Sequence, residues 1–135
     1  MLRPRALALG FAAATLASPM AHAANFQEGH IKNCAGETCT LNFNGPGPGK
    51  RLRLQQVTCR LQTSESPPLT FVDYFDSTHA LFVPAVVQDD GARQHFVATT
   101  QAQFFTGGSR MTVSAHLGKA IGSELACTIT GQSSP

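Results

Sequence analysis

Segments of this chain alternate apolar and polar residues with a period of two, and breakers separate one segment from the next. The clearest is Met111-Thr112-Val113-Ser114-Ala115-His116-Leu117. Successive side chains of a strand point to opposite faces, so this period places one set inward and the other toward solvent. Strong helix signals are absent from residue 24 onward, and Gly, Pro, Asn and Asp mark the turns. The pattern predicts an all-β domain.

Residues 1–23 are expected to stand outside that domain. Arg3 and Arg5 form a positive n-region, and Ala6 to Ala17 is an apolar run. It falls short of the roughly 20 residues that cross a bilayer. Ser18, Pro19 and Met20 end the run, and Ala21-His22-Ala23 forms an A-x-A cleavage site. These regions, in this order, predict a secretory signal peptide over 1–23 and one mature domain over 24–135, secreted or periplasmic. No later stretch is apolar enough to anchor the chain, so no membrane span is expected after cleavage. Cleavage takes 23 of the 135 residues and leaves 112. A domain of that size buries roughly two-thirds of the surface its unfolded chain exposes. Arg3 and Arg5 also account for the whole formal charge of +2, because eight basic and eight acidic residues balance beyond them. A neutral domain has no global field to draw in nucleic acid, which is not expected as a partner.

Cys34, Cys39, Cys59 and Cys127 all follow the leader. An even count in an exported chain predicts two disulfides, with three possible pairings. The favoured pairs are Cys34–Cys39 and Cys59–Cys127. The first flanks the turn-like Ala35-Gly36-Glu37-Thr38. The second joins two strand-like segments, each with its cysteine in the apolar phase. Closing the long loop contributes roughly 4 kcal/mol and the short one about 2. A metal or redox site is disfavoured, since Cys34-x4-Cys39 is not C-x-x-C and no His follows at finger spacing.

His30 to Cys34 and Cys39 to Phe43 are expected to form a first hairpin. The run Asn44-Gly45-Pro46-Gly47-Pro48-Gly49 has glycines but lacks G-K-[ST], and its prolines remove N–H groups that a phosphate loop needs; it is read as a connector. Arg51 to Gln62 is a strand whose apolar phase slips at Gln55-Gln56, which predicts a β-bulge. Leu69 to Phe75 and Ala80 to Val87 are apolar in both phases, as in strands covered on both sides or at a sheet centre. Pro84 points to an edge or a bulge. One or two strands over His95 to Phe105, then Met111 to Leu117 and Leu125 to Thr130, complete about eight strands. Sequential antiparallel pairing in a two-sheet sandwich or jelly roll is the expected architecture.

Three segments carry a resemblance. Gly49-Lys50-Arg51-Leu52 with Val57-Thr58-Cys59, Phe104-Phe105-x-Gly-Gly, and Ala126-Cys127-Thr128-Ile129-Thr130-Gly131 are similar to segments of small exported bacterial β-sandwich proteins. In that group a G-K-R-L strand opens the sandwich and a C-x-I-x-G strand ends it. The likeness spans Gly49 to Gly131. It implies a β-sandwich, supports joining Cys59 to Cys127, and brings no established activity and no catalytic residue. The Cys34/Cys39 segment departs from the pattern.

The histidines beyond the leader show no H-x-H or H-E-x-x-H spacing. If their strands were neighbours, His95 and His116 would converge beside Met111, a donor set suited to copper, with His79 as a further candidate. No G-x-S-x-G elbow is present. Asp73/Asp76 and Asp89/Asp90 are read as solvated turn acids rather than a glycosidase pair. The aromatics are dense, and Tyr74 and Phe82 are candidates for an exposed patch that binds a sugar ring or a protein. The lack of Trp and the single Tyr weaken the sugar case. Lys50, Arg51 and Arg53 read as a charged strand edge. The favoured function is therefore a non-enzymatic binding module with no cofactor and no assigned catalytic residue. Its partner is a protein, a glycan or an envelope component. A small secreted hydrolase and a periplasmic copper-binding protein are the alternatives. The exported protein is expected to begin at Ala24 and to hold no free thiol. Intact-mass measurement before and after alkylation checks both, and an adduct formed without reduction contradicts the disulfides.

Overall fold

The computed structural model describes residues 23–63, 69–89, 94–106 and 110–135, with side chains described except at 69, 70, 87–89 and 94–106. The expected leader lies outside the described residues but for Ala23. Nine strands are formed among the described residues: β1 (Ala24–Cys34), β2 (Thr38–Phe43), β3 (Arg51–Thr63), β4 (Leu69–Phe75), β5 (Ala80–Val83), β6 (Ala85–Asp89), β7 (Gln94–Thr106), β8 (Met111–Leu117) and β9 (Ser123–Ser134). No described helix is long and apolar enough to cross a membrane.

Two antiparallel sheets result, ordered β1-β9-β3-β7-β6 and β2-β8-β4-β5. The pairings nest: β1 with β9, β2 with β8, β3 with β7, β4 with β5. This is the arrangement of a jelly roll, with β6 added on the free side of β7. Pairing is therefore nested, where sequential pairing was expected. The expected first hairpin is also replaced. β1 and β2 lie in different sheets, and the chain turns a corner between them. Cys39, Leu41 and Phe43 are buried. That apolar phase gains most by facing the other sheet across the core, which an in-plane hairpin with the largely exposed β1 would not provide.

The inward phases make the core. Leu41 and Phe43 of β2, Val72 and Tyr74 of β4, and Met111, Val113 and Ala115 of β8 face Leu52, Leu54, Val57 and Leu61 of β3 with Leu125 and Ile129 of β9. In β3 the register shifts between Leu54 and Gln56: against β9, Gln55 is the extra residue of a bulge, while against β7 the extra residue lies on β7, where Ala102 and Gln103 stand opposite Gln55. Leu52 and Leu54 before it, and Val57, Cys59 and Leu61 after it, are all buried. Ala80 to Val87 does not run as one strand. It changes sheets at Pro84, whose missing N–H suits a corner between two edge strands. Nor are β4 and β5 covered on both sides: Phe75 is 55% and Phe82 71% exposed. A two-layer sandwich buries only one face of each sheet.

Both favoured disulfides are present. Cys34–Cys39 ties the two sheets at the corner, with Cα atoms 5.6 Å apart. Cys59 and Cys127 face each other directly in the β3–β9 register, with Cα atoms 4.1 Å apart. Gly131 lies opposite Leu54, where the register shifts. A Cβ there would strike the backbone carbonyl of Arg53. Gly131→Ala is thus expected to cost on the order of 1–3 kcal/mol in urea unfolding. A Cβ at Gly29 lies 3.2 Å from the Thr128 hydroxyl oxygen, which must give by a few tenths of an ångström, and 3.8 Å from the Cys127 carbonyl, an ordinary contact. Gly29→Ala should change stability by less than about 0.5 kcal/mol, and equal losses at the two sites would contradict this account.

Candidate functional site

On the four-stranded sheet the outward phase forms three rows across the strands. They run Thr38–His116–Phe71, Thr40–Ser114–Asp73–Phe82, and Asn42–Thr112–Phe75–Ala80. The β2–β8 half is polar and the β4–β5 half is aromatic. Phe71 stacks on His116 with ring centres 4.1 Å apart and planes 25° apart. Phe82 meets Phe71 edge to face at 5.7 Å. His116 Nε2 lies 3.3 Å from Asp73 Oδ2. Beside it the Thr40 and Ser114 hydroxyls are 2.9 Å apart, and the Thr112 hydroxyl donates to the Phe75 carbonyl at 3.3 Å. Ring contacts and hydrogen bonds thus hold the side chains of this face in place.

The hairpin that carries Phe75 and Phe82 is tied from within. Its loop is Asp76-Ser77-Thr78-His79, and the Asp76 N–H donates to the His79 carbonyl at 2.9 Å. The Asp76 side chain is fully buried. Its Oδ1 accepts from the Thr78 N–H at 2.8 Å, the His79 N–H at 2.7 Å and the Thr78 hydroxyl at 3.0 Å. Its Oδ2 accepts from the Tyr74 hydroxyl at 2.9 Å. Burial alone would raise this carboxyl, but the Thr78 N–H, the Tyr74 hydroxyl and the His79 N–H outweigh it and hold the pKa down to about 2.

A similar carboxylate anchors the connector. Glu28 accepts from the Asn44 and Gly45 N–H groups, both at 2.9 Å, and from His30 Nε2 at 2.7 Å. Burial raises its pKa, and the Asn44 N–H, His30 and the Gly45 N–H together bring it below the ordinary value. Gly45, Gly47 and Gly49 take positive φ, which accounts for the alternating glycines of this connector.

Several expectations are corrected by this geometry. Tyr74 is not part of an exposed patch. It lies on the inward phase beside Val72, and its hydroxyl is satisfied by Asp76. Phe82 is exposed, in company with Phe75. Asp76 is no solvated turn acid, and Asp73 sits within β4 rather than at a turn; the side chains of Asp89 and Asp90 lie outside the described residues. Among the described side chains, the proposed copper donors Met111 and His116 do not converge. Met111 is buried in the core while His116 points out from the same strand. His95 pairs through its backbone with Gln62 and Gln88 in the other sheet, and its side chain lies outside the described residues. Consecutive strands β7 and β8 are split between sheets by the nested pairing. His79 is engaged with Asp76 and Thr78. Among the described residues no three His, Cys, Asp or Glu side chains gather as metal ligands.

A catalytic relay needs acid and hydroxyl on opposite ring nitrogens, and the hydroxyl contacts described at His79 and His116 do not take that layout. At His79 both stand at Nδ1. At His116, Nε2 faces Asp73, and the nearby Ser114 hydroxyl bonds Thr40 instead. A cleft of about 270 Å³ beside the bulge is lined by Asn25, Phe26, Gln27, Gln55, Thr130 and Gly131. None of these can act as an acid or base near neutral pH. Pairing of β4 with β8 is what assembles the face. Strand phase alone groups Phe71, Asp73 and Phe75, but the addition of His116 and Ser114 needs the register. Comparison with protein families, with curated proteins and with solved structures finds no match.

The depressed pKa of Asp76 has a sign in stability. Its contribution is full above the ordinary value near 3.8 and fades as pH falls toward 2. It amounts to about 2 kcal/mol. Urea unfolding between pH 6 and pH 2 should show this loss, and Asp76→Asn should flatten the dependence. An equal acid dependence in the variant would reject the assignment.

Proposed function

We propose that this protein is an exported, non-enzymatic binding module that holds its ligand on the outer face of the four-stranded sheet. The observation that carries the reading is the pair of exposed rings, Phe75 and Phe82, set beside the Asp73–His116 pair and Phe71 on one ordered face. A single exposed apolar side chain needs no explanation, but a contiguous aromatic patch rimmed by polar groups marks a recognition surface. The two disulfides are compatible with an oxidising compartment. The likeness to small exported bacterial β-sandwich proteins accords with that placement and adds no activity.

A double variant Phe75→Ala/Phe82→Ala tests the face. Both side chains are exposed, so unfolding free energy should stay within about 0.5 kcal/mol of the parent. Co-sedimentation with isolated cell envelopes should fall at least tenfold. Val86→Ala, on the edge strand of the other sheet and also exposed, should sediment as the parent does. Undiminished sedimentation of the double variant would overturn the reading.

A further inference from the structure

We infer that the ligand of this face is a neutral saccharide, an inference that rests on the binding-face reading above. Charge is the first argument. Across the three rows there is no Lys or Arg, and Asp73 is the one acidic side chain. A phosphorylated, sulfated or carboxylate-bearing ligand would meet a carboxylate at the centre of the face; the nearest described cation, the Lys32 ammonium, reaches from β1 only to the Thr40 carbonyl at the β2 edge. The centre of the face therefore favours an uncharged ligand.

Area is the second argument. Four strands about 4.8 Å apart, with outward rows about 6.8 Å apart, make a face of roughly 400 Å². A standard protein–protein interface takes about 800 Å² from each partner. The face is half that size, which disfavours a folded protein as its sole occupant and suits a short run of sugar rings.

The third argument is the arrangement of chemistry. A pyranose has C–H faces that pack on an aromatic ring and a rim of hydroxyls that donate and accept. In the central row, Asp73 stands directly opposite Phe82 on one side and Ser114 on the other. His116 engages Asp73 Oδ2 and so holds the carboxylate. Oδ1 makes no hydrogen bond among the described residues and is left to accept a ligand hydroxyl, a charge-assisted bond stronger than a neutral one. Ser114 and Thr40 spend one donor on each other and keep further acceptor capacity toward the ligand. With no Trp in the chain and the single Tyr buried in the core, Phe82 provides the apolar surface, with Phe75 in the next row extending it. Asp73 is thus the specificity-setting acceptor, and His116 is a positioning residue that acts through it.

The test is an amide-resolved NMR titration of the isotopically labelled exported protein with cellohexaose, chitohexaose, mannohexaose and maltohexaose. A sulfated heparin hexasaccharide and a detergent extract of cell envelopes serve as further arms. At least one neutral oligosaccharide should shift the amides of 71–75, 80–83 and 112–116. Phe82→Ala should weaken that binding at least tenfold, and Asp73→Asn several-fold. His116→Ala should weaken it less than Asp73→Asn does. If the extract shifts these amides and no neutral oligosaccharide does, the saccharide inference fails while the binding face stands. If an oligosaccharide shifts amides elsewhere, such as 25–27 and 130–131 at the cleft, the face reading fails. Preference for the heparin fragment would overturn the charge argument, and no shift in any arm would overturn both readings.

Discussion

One extra residue in the central strand governs the core. β3 is paired on both sides; against β9 Gln55 is the inserted residue, and against β7 the shift is taken up by an extra residue on β7 itself. Side chains alternate strictly, so without the insertion Leu52 and Leu54 would face the core while Val57, Cys59 and Leu61 faced water, or the reverse. The bulge returns all five to one face. It also brings the Arg53 carbonyl against β9 at Gly131, where no side chain fits. Beyond the bulge the register brings Cys59 opposite Cys127, and the disulfide locks it. The cleft lined by Asn25, Gln27 and Gln55 opens where the ladder is disturbed.

Nested pairing has a second set of consequences. It sends consecutive segments to opposite sheets at Cys34–Cys39 and at Pro84, and it separates β7 from β8. A disulfide across a five-residue separation fits a hairpin and a corner equally well, and the sheet order decides between them. The same nesting puts β4 beside β8. Phe71 then meets His116, and Asp73 lies between Ser114 and Phe82. The outer face of this sheet joins residues distant in the chain, such as Asp73 and His116, 43 positions apart, held to each other by a sheet whose other side is full of apolar side chains.

Asp76 links the core to that face. It is buried below the hairpin that lifts Phe75 and Phe82 outward, and its hydrogen bonds close both the loop and the Tyr74 hydroxyl. Leaving a buried carboxylate without these donors would cost several kcal/mol, so the loop and the carboxylate must order together. Under the proposed binding reading, rigidity at the loop spares the exposed rings much of the entropy that ordering them on binding would cost.

The sequence by itself determined the strand class, the slip at Gln55-Gln56 and the number of disulfides, and favoured the pairing that forms, because these follow from local period, parity and chain spacing. Met111 to Leu117 buries the alternate residues that its pattern marks. The aromatic patch was legible only in part: Phe82 could be picked out, but Tyr74 was placed on the wrong face and Asp76 in the wrong environment. LTFVDYF is apolar in both phases, so period alone cannot say which phase is inward. Only the tertiary structure decided that Tyr74 joins Val72 in the core and that Phe71, Asp73 and Phe75 point out with His116. The physical reason is that a sheet face acquires its chemistry from strand neighbours, and neighbours in a nested sandwich are set by the burial of the whole core rather than by adjacency along the chain.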